Sequence, residues 1–418
     1  MLQVLVGYTL DAGVDIRWLV MSGDQEFFTV TKRMHNRLHG MPGDGGPLGA
    51  AEARKYRSVT DSSAASVLER VRSGDVVLLH DPQTAGLVPR LADAGARVIW
   101  RCHIGRETAN DWTEEAWWFL RPFLEASAAY VFSLREYVPE WIDAGKVSVI
   151  PPSIDPFSPK NQDLPDEKVF DILRRIGVLA VDEGGDADTS FVRRDGRLGR
   201  VERHASILAG EGPLLDPSDR LVLQVSRWDR LKDMAGVMEG FVSRVGGRVD
   251  AHLALVGPSA AEVQDDPEGA EVVGECVAAW EGLPAQARRR VHLVTLPMED
   301  VDENAAMVNA LQRHATVIVQ KSLAEGFGLT VAEGMWKSKA VVASAVGGIA
   351  KQIEPGTGVL LEDPADLDAF GDTLASLLER PDEIARLGQR ARRHVLDGYV
   401  GDMHLIRYAK LIQSVAPG

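Results

Sequence analysis

The sequence predicts a doubly wound α/β protein built on two parallel sheets, and three observations carry that expectation. Apolar, β-branched runs about five residues long recur with helix-length segments between them, the pattern of strands buried on both faces in βαβ units. The runs fall into two groups, one before residue 151 and one after residue 220. Between the groups stands Pro151-Pro152-Ser153-Ile154-Asp155-Pro156-Phe157-Ser158-Pro159, where four prolines in nine residues remove backbone donors and stop any helix.

Taken in order, residues 2–12 read as a first helix and 14–21 as a strand. Helical spacing covers 64–73 and 114–126, and strands are expected at 75–79, 96–100, 129–132 and 147–150. Past the proline-rich segment, strands are expected at 221–225, 252–256, 291–295, 316–319, 340–343 and 358–360, with helices at 234–245, 331–337 and 366–379. Residues 180–215 are rich in Gly, Asp and Arg and lack periodicity, so they form either a long excursion or a partly mobile lid. After Asp397, the apolar residues Leu405, Tyr408, Ala409 and Leu411 recur at helical spacing and need a surface to pack on. The expected division is an N-terminal domain of 1–156, a C-terminal domain of 157–395, and a terminal helix in 396–418 that packs back on the first domain.

At 418 residues, 45% apolar and 26% charged, the composition is that of a globular protein of two or three domains and excludes a disordered or low-complexity chain. Acidic residues outnumber basic ones, 61 to 46, for a net charge of −15. That balance argues against a nonspecific hold on nucleic acid or anionic lipid, so an anionic ligand needs a local cluster of cations. It is also compatible with a homodimer formed through an apolar patch. Two cysteines, Cys102 and Cys276, suit a reducing compartment and no bridge is expected. No apolar run approaches the ~18 residues that span a bilayer, and no signal-type N-terminus is present, so a cytoplasmic location is expected.

The strand at 221–225 runs into Ser226-Arg227-Trp228-Asp229-Arg230-Leu231-Lys232-Asp233. Arg227 and Lys232 thus leave the carboxyl end of a parallel strand, the edge where open α/β sheets bind ligands. A guanidinium forks onto two phosphate oxygens and an ammonium adds a mobile charge, so the pair suits a diphosphate; an ordinary solvated turn would carry the same residues. The strand at 316–319 leads into a loop with Glu325, Gly326, Phe327 and Gly328, then a helix beginning near Thr330 and holding Glu333. The glycines would let backbone approach a ligand and the helix tip would offer amides to a phosphate, although Thr330 and Glu333 also fit a plain capping box. Strand, glycine loop and helix together place a carboxylate before and after one anion-binding terminus, an arrangement suited to gripping sugar hydroxyls on either side of a diphosphate.

His80, in Leu79-His80-Asp81-Pro82-Gln83, and His103, in Trp100-Arg101-Cys102-His103, both close strands at one edge of the first sheet. Taken singly, each fits a hydrogen-bonded core or hinge residue better than a site residue, and their placement at the same edge of the first sheet favours the site reading. Residues 27–36 combine aromatic faces with amide, ammonium and imidazole groups suited to a sugar, or form an amphipathic helix with a solvated face. The acid pairs Asp300/Asp302, Asp186/Asp188 and Asp366/Asp368 lack further ligands and read as surface acid; no metal is expected.

The donor-side residues resemble a known family. Ser226-Arg227-Trp228-Asp229-x-x-Lys232, followed by Glu325-Gly-Phe-Gly-Leu-Thr-Val-Ala-Glu333, is similar to the donor site of retaining glycosyltransferases of family 4, which have the GT-B fold of two doubly wound Rossmann-like domains facing across a cleft. Within that family, Glu26-Phe-Phe-x-Val-Thr-Lys-x-x-His-Asn36, His80-Asp-Pro-Gln83 and Trp100-Arg-Cys-His103 resemble the trehalose glycosyltransferring synthases, which join nucleotide-activated glucose to free glucose. The resemblance implies that Arg227 and Lys232 meet the donor diphosphate, with Glu325 on hydroxyls of the transferred glucose, Glu333 on the ribose and His103 beside the reacting sugar. It further implies a phosphate cradle of Gly328, Leu329 and Thr330 amides, with the base near Thr295 and Leu296. Acceptor contacts fall to Lys32, His35, Asn36, His80, Asp81 and Gln83. A nucleoside diphosphate glucose would be the co-substrate, with no metal. Alternatives are a retaining trehalose phosphorylase and a sugar-nucleotide-binding protein without turnover. A glycosidase would need two opposed carboxylates about 5 to 9 Å apart and has no use for a diphosphate cradle. The family pattern opens with a strand and a glycine-rich loop ahead of the first helix. Both are expected to be missing here: either the true start lies upstream, or the chain is trimmed, or the protein has lost part of its acceptor pocket and a phosphate-facing loop, and donor binding is expected to survive.

Overall fold

The computed structural model describes residues 2–180, 187–210, 215–259 and 267–416. The chain forms two compact units, Met1–Ser153 with Gly401–Gly418, and Ile154–Val400.

In the first unit, strands β1 (Val76–His80), β2 (Arg97–Cys102), β3 (Ala129–Phe132) and β4 (Val147–Val149) pair in chain order, all parallel. Alternation along these strands divides the core. Val98, Trp100, Cys102, Tyr130 and Phe132 pack with helix residues Phe27, Met34, Tyr56, Phe119 and Phe123. Ile99, Ala129 and Val131 pack instead with Tyr408 and Leu411 of the terminal helix Gly401–Val415. Ile99, Val131 and Leu411 each contribute roughly 1.5–3 kcal/mol by leaving water, which is what seats that helix on this sheet. Helix Gln25–Leu38 begins at Asp24, whose carboxylate accepts the Phe27 amide at 2.9 Å, and it buries Phe27, Val30, Met34 and Leu38 along one stripe.

Two expectations fail in this unit. Residues 14–21 form no strand: they pair with no ladder, and Val14, Trp18, Leu19 and Val20 are exposed. Strand propensity without a neighbouring strand leaves the backbone to water. The helix expected at 64–73 instead runs Ala50–Leu68, starting at Gly49, whose amide donates to Glu52 Oε2 at 2.9 Å. Its buried stripe is thin, Tyr56, Thr60 and Ala64, so apolar periodicity understated its length.

In the second unit, β5 (Ser190–Val192) and β6 (Leu198–Arg200) form a hairpin. The remaining strands are β7 (Ser206–Ala209), β8 (Leu221–Val225), β9 (His252–Pro258), β10 (Val291–Leu296), β11 (Val317–Gln320), β12 (Ala340–Ser344) and β13 (Val359–Leu361). They make one sheet in the order β13-β12-β11-β8-β9-β10-β7, parallel throughout except for β7 on β10. Val222, Leu253, Leu255, Val317, Val319 and Val342 are each fully buried in the core between the sheet and its helices.

The described part of 180–215 is therefore structured. Arg193 bridges to Asp300 at 2.6 Å, Arg203 pairs with Glu303, and Gln162 exchanges hydrogen bonds with Val192, so the segment is tied to helix Val301–His314. Residues 181–186, including Asp186, and 211–214 lie outside the described residues. Asp300 and Asp366 cap helices, accepting the Glu303 amide at 3.1 Å and the Ala369 amide at 2.8 Å, while Asp302 and Asp368 bind Arg194 and Arg244. Among the described residues no helix is long and apolar enough to cross a membrane.

Candidate functional site

In the second unit β8 and β11 are neighbours in register, so the loops leaving their carboxyl ends emerge side by side. That adjacency brings together Lys232 and Glu325, with Nζ 2.5 Å from Oε2 and both side chains mostly buried. Ser322 Oγ lies 3.5 Å from the same oxygen. Arg227 is more exposed and reaches Asp229 at 3.3 Å. Trp228 between them is buried and its indole donates to Pro258 O at 2.9 Å, pinning the loop to the end of β9.

Beneath this surface lies a layer that the residue patterns did not single out. Lys321 is fully buried and pairs with Asp233, whose φ of +47° places it in the left-handed region as it caps helix Met234–Arg244. Gln224 spans the two loops, donating to Lys232 O at 2.7 Å and accepting from the Lys321 amide at 3.2 Å. Leu323 N donates to Leu231 O at 2.8 Å. The one available signal was polarity at buried strand ends, since Gln224 and Gln320 interrupt apolar runs.

Gly328, at φ +79°, is the N-cap of helix Leu329–Trp336, a conformation that an L side chain resists. Amides of the helix's first turn, Leu329 and Thr330 among them, point out of that terminus. Gln352 holds the loop from behind, donating to Phe327 O and Gly328 O. Because Thr330 lies inside the helix and Gly328 caps it, the capping box of Thr330 and Glu333 does not form. Glu333 is instead buried, with Lys160 Nζ 2.9 Å from its carboxylate. Lys337 donates to Asn161 Oδ1 at 2.9 Å and to Glu333 O at 3.2 Å, and burial drives its amine well below the usual lysine range. Thr295 and Leu296 are buried at the carboxyl end of β10, two strands from β8.

In the first unit, His80 ends β1 opposite Arg101 of β2, and His103 follows β2. The two imidazoles lie nearly parallel at 5.4 Å, with His80 Nδ1 3.1 Å from His103 Nε2. Asp81 adopts φ +62°, and its Oδ1 accepts the His103 amide at 2.8 Å. Burial, reinforced by the Arg101 charge, lowers His80 to about 4 and His103 further still, while burial raises Asp81 to about 6. Gln83 is half-buried in the single turn Asp81–Thr84, against which helix Gln25–Leu38 packs. On that helix Lys32, His35 and Asn36 share one face by their spacing. Lys32 is exposed, and His35 meets the His39 ring edge-on at 5.0 Å. His80, Asp81 and His103 are thus assembled directly, and the other acceptor candidates stand on adjoining elements. Arg101, fully buried beside both histidines, was not anticipated.

Residues 1–139 match the family described as trehalose synthase, N-terminal domain, and residues 299–394 the family described as glycosyl transferases group 1. The chain is 34% identical over 418 residues to a trehalose synthase of Thermococcus litoralis, covering 99% of this chain and 86% of the relative. A trehalose phosphorylase of Pleurotus sajor-caju is 24% identical, over 99% of this chain and 56% of the relative. Among solved structures, an apo structure of OtsA superposes with a TM-score of 0.71 at 12% identity, covering 100% of this chain and 96% of the other.

Proposed function

The chain belongs to the trehalose synthase family of GT-B glycosyltransferases, and from that premise we propose that it moves glucose, with retention at the anomeric carbon, from a nucleoside diphosphate glucose to glucose or a related small acceptor. The observation that carries this reading is the contact of Lys232 with Glu325 in the unit whose Gly328-capped helix ends the Glu325 loop. A departing diphosphate gains charge as the glycosidic bond breaks, and catalysis rests on meeting that charge in the transition state.

Lys232 and Arg227 supply the positive charge, and the amides of Gly328, Leu329 and Thr330 complete the cradle. Donor binding parts the Lys232–Glu325 contact, so that phosphate takes the ammonium and sugar hydroxyls take the carboxylate. Glu333, bridged by Lys160, receives the ribose, and Thr295 and Leu296 flank the base. His103 stands beside the reacting sugar, with Lys32, His35, Asn36, His80, Asp81 and Gln83 on the acceptor. As the bond from C1 to the phosphate oxygen breaks, the new C1–O bond forms on the same face and the leaving phosphate takes the acceptor hydroxyl's proton. No protein nucleophile is required, and the two cations do the work otherwise given to a metal.

Calorimetric titration with uridine, adenosine and guanosine diphosphates, followed by transfer assays on glucose with the anomeric configuration read by proton NMR, tests the proposal. One nucleotide binds and an α-linked disaccharide forms if it holds; absence of nucleotide binding overturns it. Release of glucose 1-phosphate from trehalose and phosphate without nucleotide would make the chain a phosphorylase, as the Pleurotus relative is named. Nucleotide binding with no product from any acceptor would make it a binding protein.

A further inference from the structure

Under the contact of Lys232 with Glu325, the loops leaving β8 and β11 are tied together by groups that belong to neither side chain. Gln224, fully buried near the end of β8, uses both ends of its amide: Nε2 donates to Lys232 O at 2.7 Å and Oε1 accepts the Lys321 amide at 3.2 Å. Leu323 N donates to Leu231 O at 2.8 Å. The third tie is ionic. Lys321, on the loop that carries Glu325, is fully buried and pairs with Asp233, the residue that follows Lys232.

The carboxylate of Asp233 divides its work, with Oδ1 accepting the Gly236 amide at 3.2 Å to cap helix Met234–Arg244 and Oδ2 meeting the ammonium. Its φ of +47° is one that an L residue resists, and the two contacts offset that cost. A Cβ on Gly236 would collide with the carboxylate, so the seat is tight. Capping alone needs only a side-chain oxygen, which Asn supplies as well as Asp. It gives no reason for a lysine taken wholly out of water, and a buried ion pair often adds no net stability over apolar residues of the same volume. What such a pair does fix is where its two loops lie.

We propose that Lys321 and Asp233 are positioning residues whose buried ion pair holds Lys232 at the place where the departing diphosphate needs it. The inference rests on the transferase reading above, in which donor binding parts Lys232 from Glu325. Once that contact opens, Glu325 no longer fixes the ammonium. The pair beneath survives, because neither member is given a donor contact, and it keeps the residue after Lys232 anchored to the β11 loop. It also engages the acid next to Lys232, so that this carboxylate does not compete with phosphate for the ammonium.

The test removes both charges at once in the full chain. Lys321→Met with Asp233→Asn replaces the pair by neutral side chains of similar size and keeps a cap, so the double variant should unfold in urea close to the unaltered chain. Its turnover at saturating donor and acceptor should fall about tenfold or more, as a small misplacement of a catalytic group does, while nucleotide affinity by calorimetry stays within about twofold. In a Lys232→Ala background the same two substitutions should cost nothing further, because the group they place is gone. Unchanged turnover, nucleotide affinity falling in step with turnover, or an undiminished loss in the Lys232→Ala background overturns the proposal. Should the double variant not fold, Asp233→Asn alone carries the same comparison. Glu325→Ala opens the upper contact without donor, and its crystal structure should keep Lys232 in one conformer, whereas adding the two substitutions should leave Lys232 in several. Lys232 equally ordered in both overturns the positioning role, whether or not the chain transfers sugar. An unaltered chain that transfers no sugar would defeat the transferase reading, while the crystal structures would still decide what holds Lys232.

Discussion

Replacing Lys232 by alanine removes an ammonium that is 14% exposed and 2.5 Å from Glu325 Oε2. Two unit charges about 4 Å apart attract by about 4 kcal/mol at an effective dielectric near 20. If the breaking phosphate bond gains one such contact in the transition state, its loss slows turnover by roughly 10³-fold. Donor affinity should fall less. In the unliganded protein the ammonium is already held by Glu325, so part of what the phosphate gains is offset by parting that pair. Acceptor affinity should not move. Initial rates at saturating donor across a range of acceptor concentrations separate these effects, and Lys232→Arg, which restores the charge on a different geometry, should recover part of the rate. Turnover within about threefold of the unaltered chain, under ~1 kcal/mol of barrier, would remove Lys232 from the leaving-group site.

Gly328→Ala would place Cβ 2.7 Å from Ile349 Cγ1 and 3.2 Å from Glu325 Cγ in a left-handed conformation. It should cost about 1–2 kcal/mol in urea unfolding and weaken nucleotide binding by calorimetry; no change in either would contradict a backbone cradle there. His80, His292 and His404 are each pushed by burial to about 4, below the ordinary 6.5. The unfolded chain then binds more protons below pH 6.5, so their stabilisation is present above that pH and drains away as pH falls toward 4. Asp81, raised to about 6, works in the opposite sense between 3.8 and 6. Melting temperatures should fall from pH 6.5 to 4.5, less steeply in His292→Gln, and equal slopes in both proteins would refute the assignment. Transfer activity should survive saturating EDTA; its abolition, with recovery on added divalent cation, would show that the two cations do not suffice.

Ten strand positions read from apolar runs recur in the sheets within a residue or two, because a strand buried on both faces writes its burial into consecutive residues. Residues 14–21 carry a similar run and form no strand, since pairing needs a neighbour that composition does not supply. Helix Ala50–Leu68 shows the converse. Its capping signal, Gly49 with Glu52, was present, but a stripe of Tyr56, Thr60 and Ala64 is too thin for apolar spacing to mark its start.

For the candidate site, Arg227, Lys232 and Glu325 were legible because each follows a strand, and the carboxyl ends of parallel strands lie on one edge. Which loops stand next to each other was not legible. Lys232 and Glu325 meet only because β8 pairs with β11, skipping β9 and β10 in chain order. Lys321 with Asp233, and Arg101 with Tyr408, are likewise partnerships between distant segments, each a buried cation whose partner lies far away along the chain. Local pattern records how much of a residue is buried. Which group compensates a buried charge is set by strand order and helix docking, and these are long-range choices that no window of neighbouring residues contains.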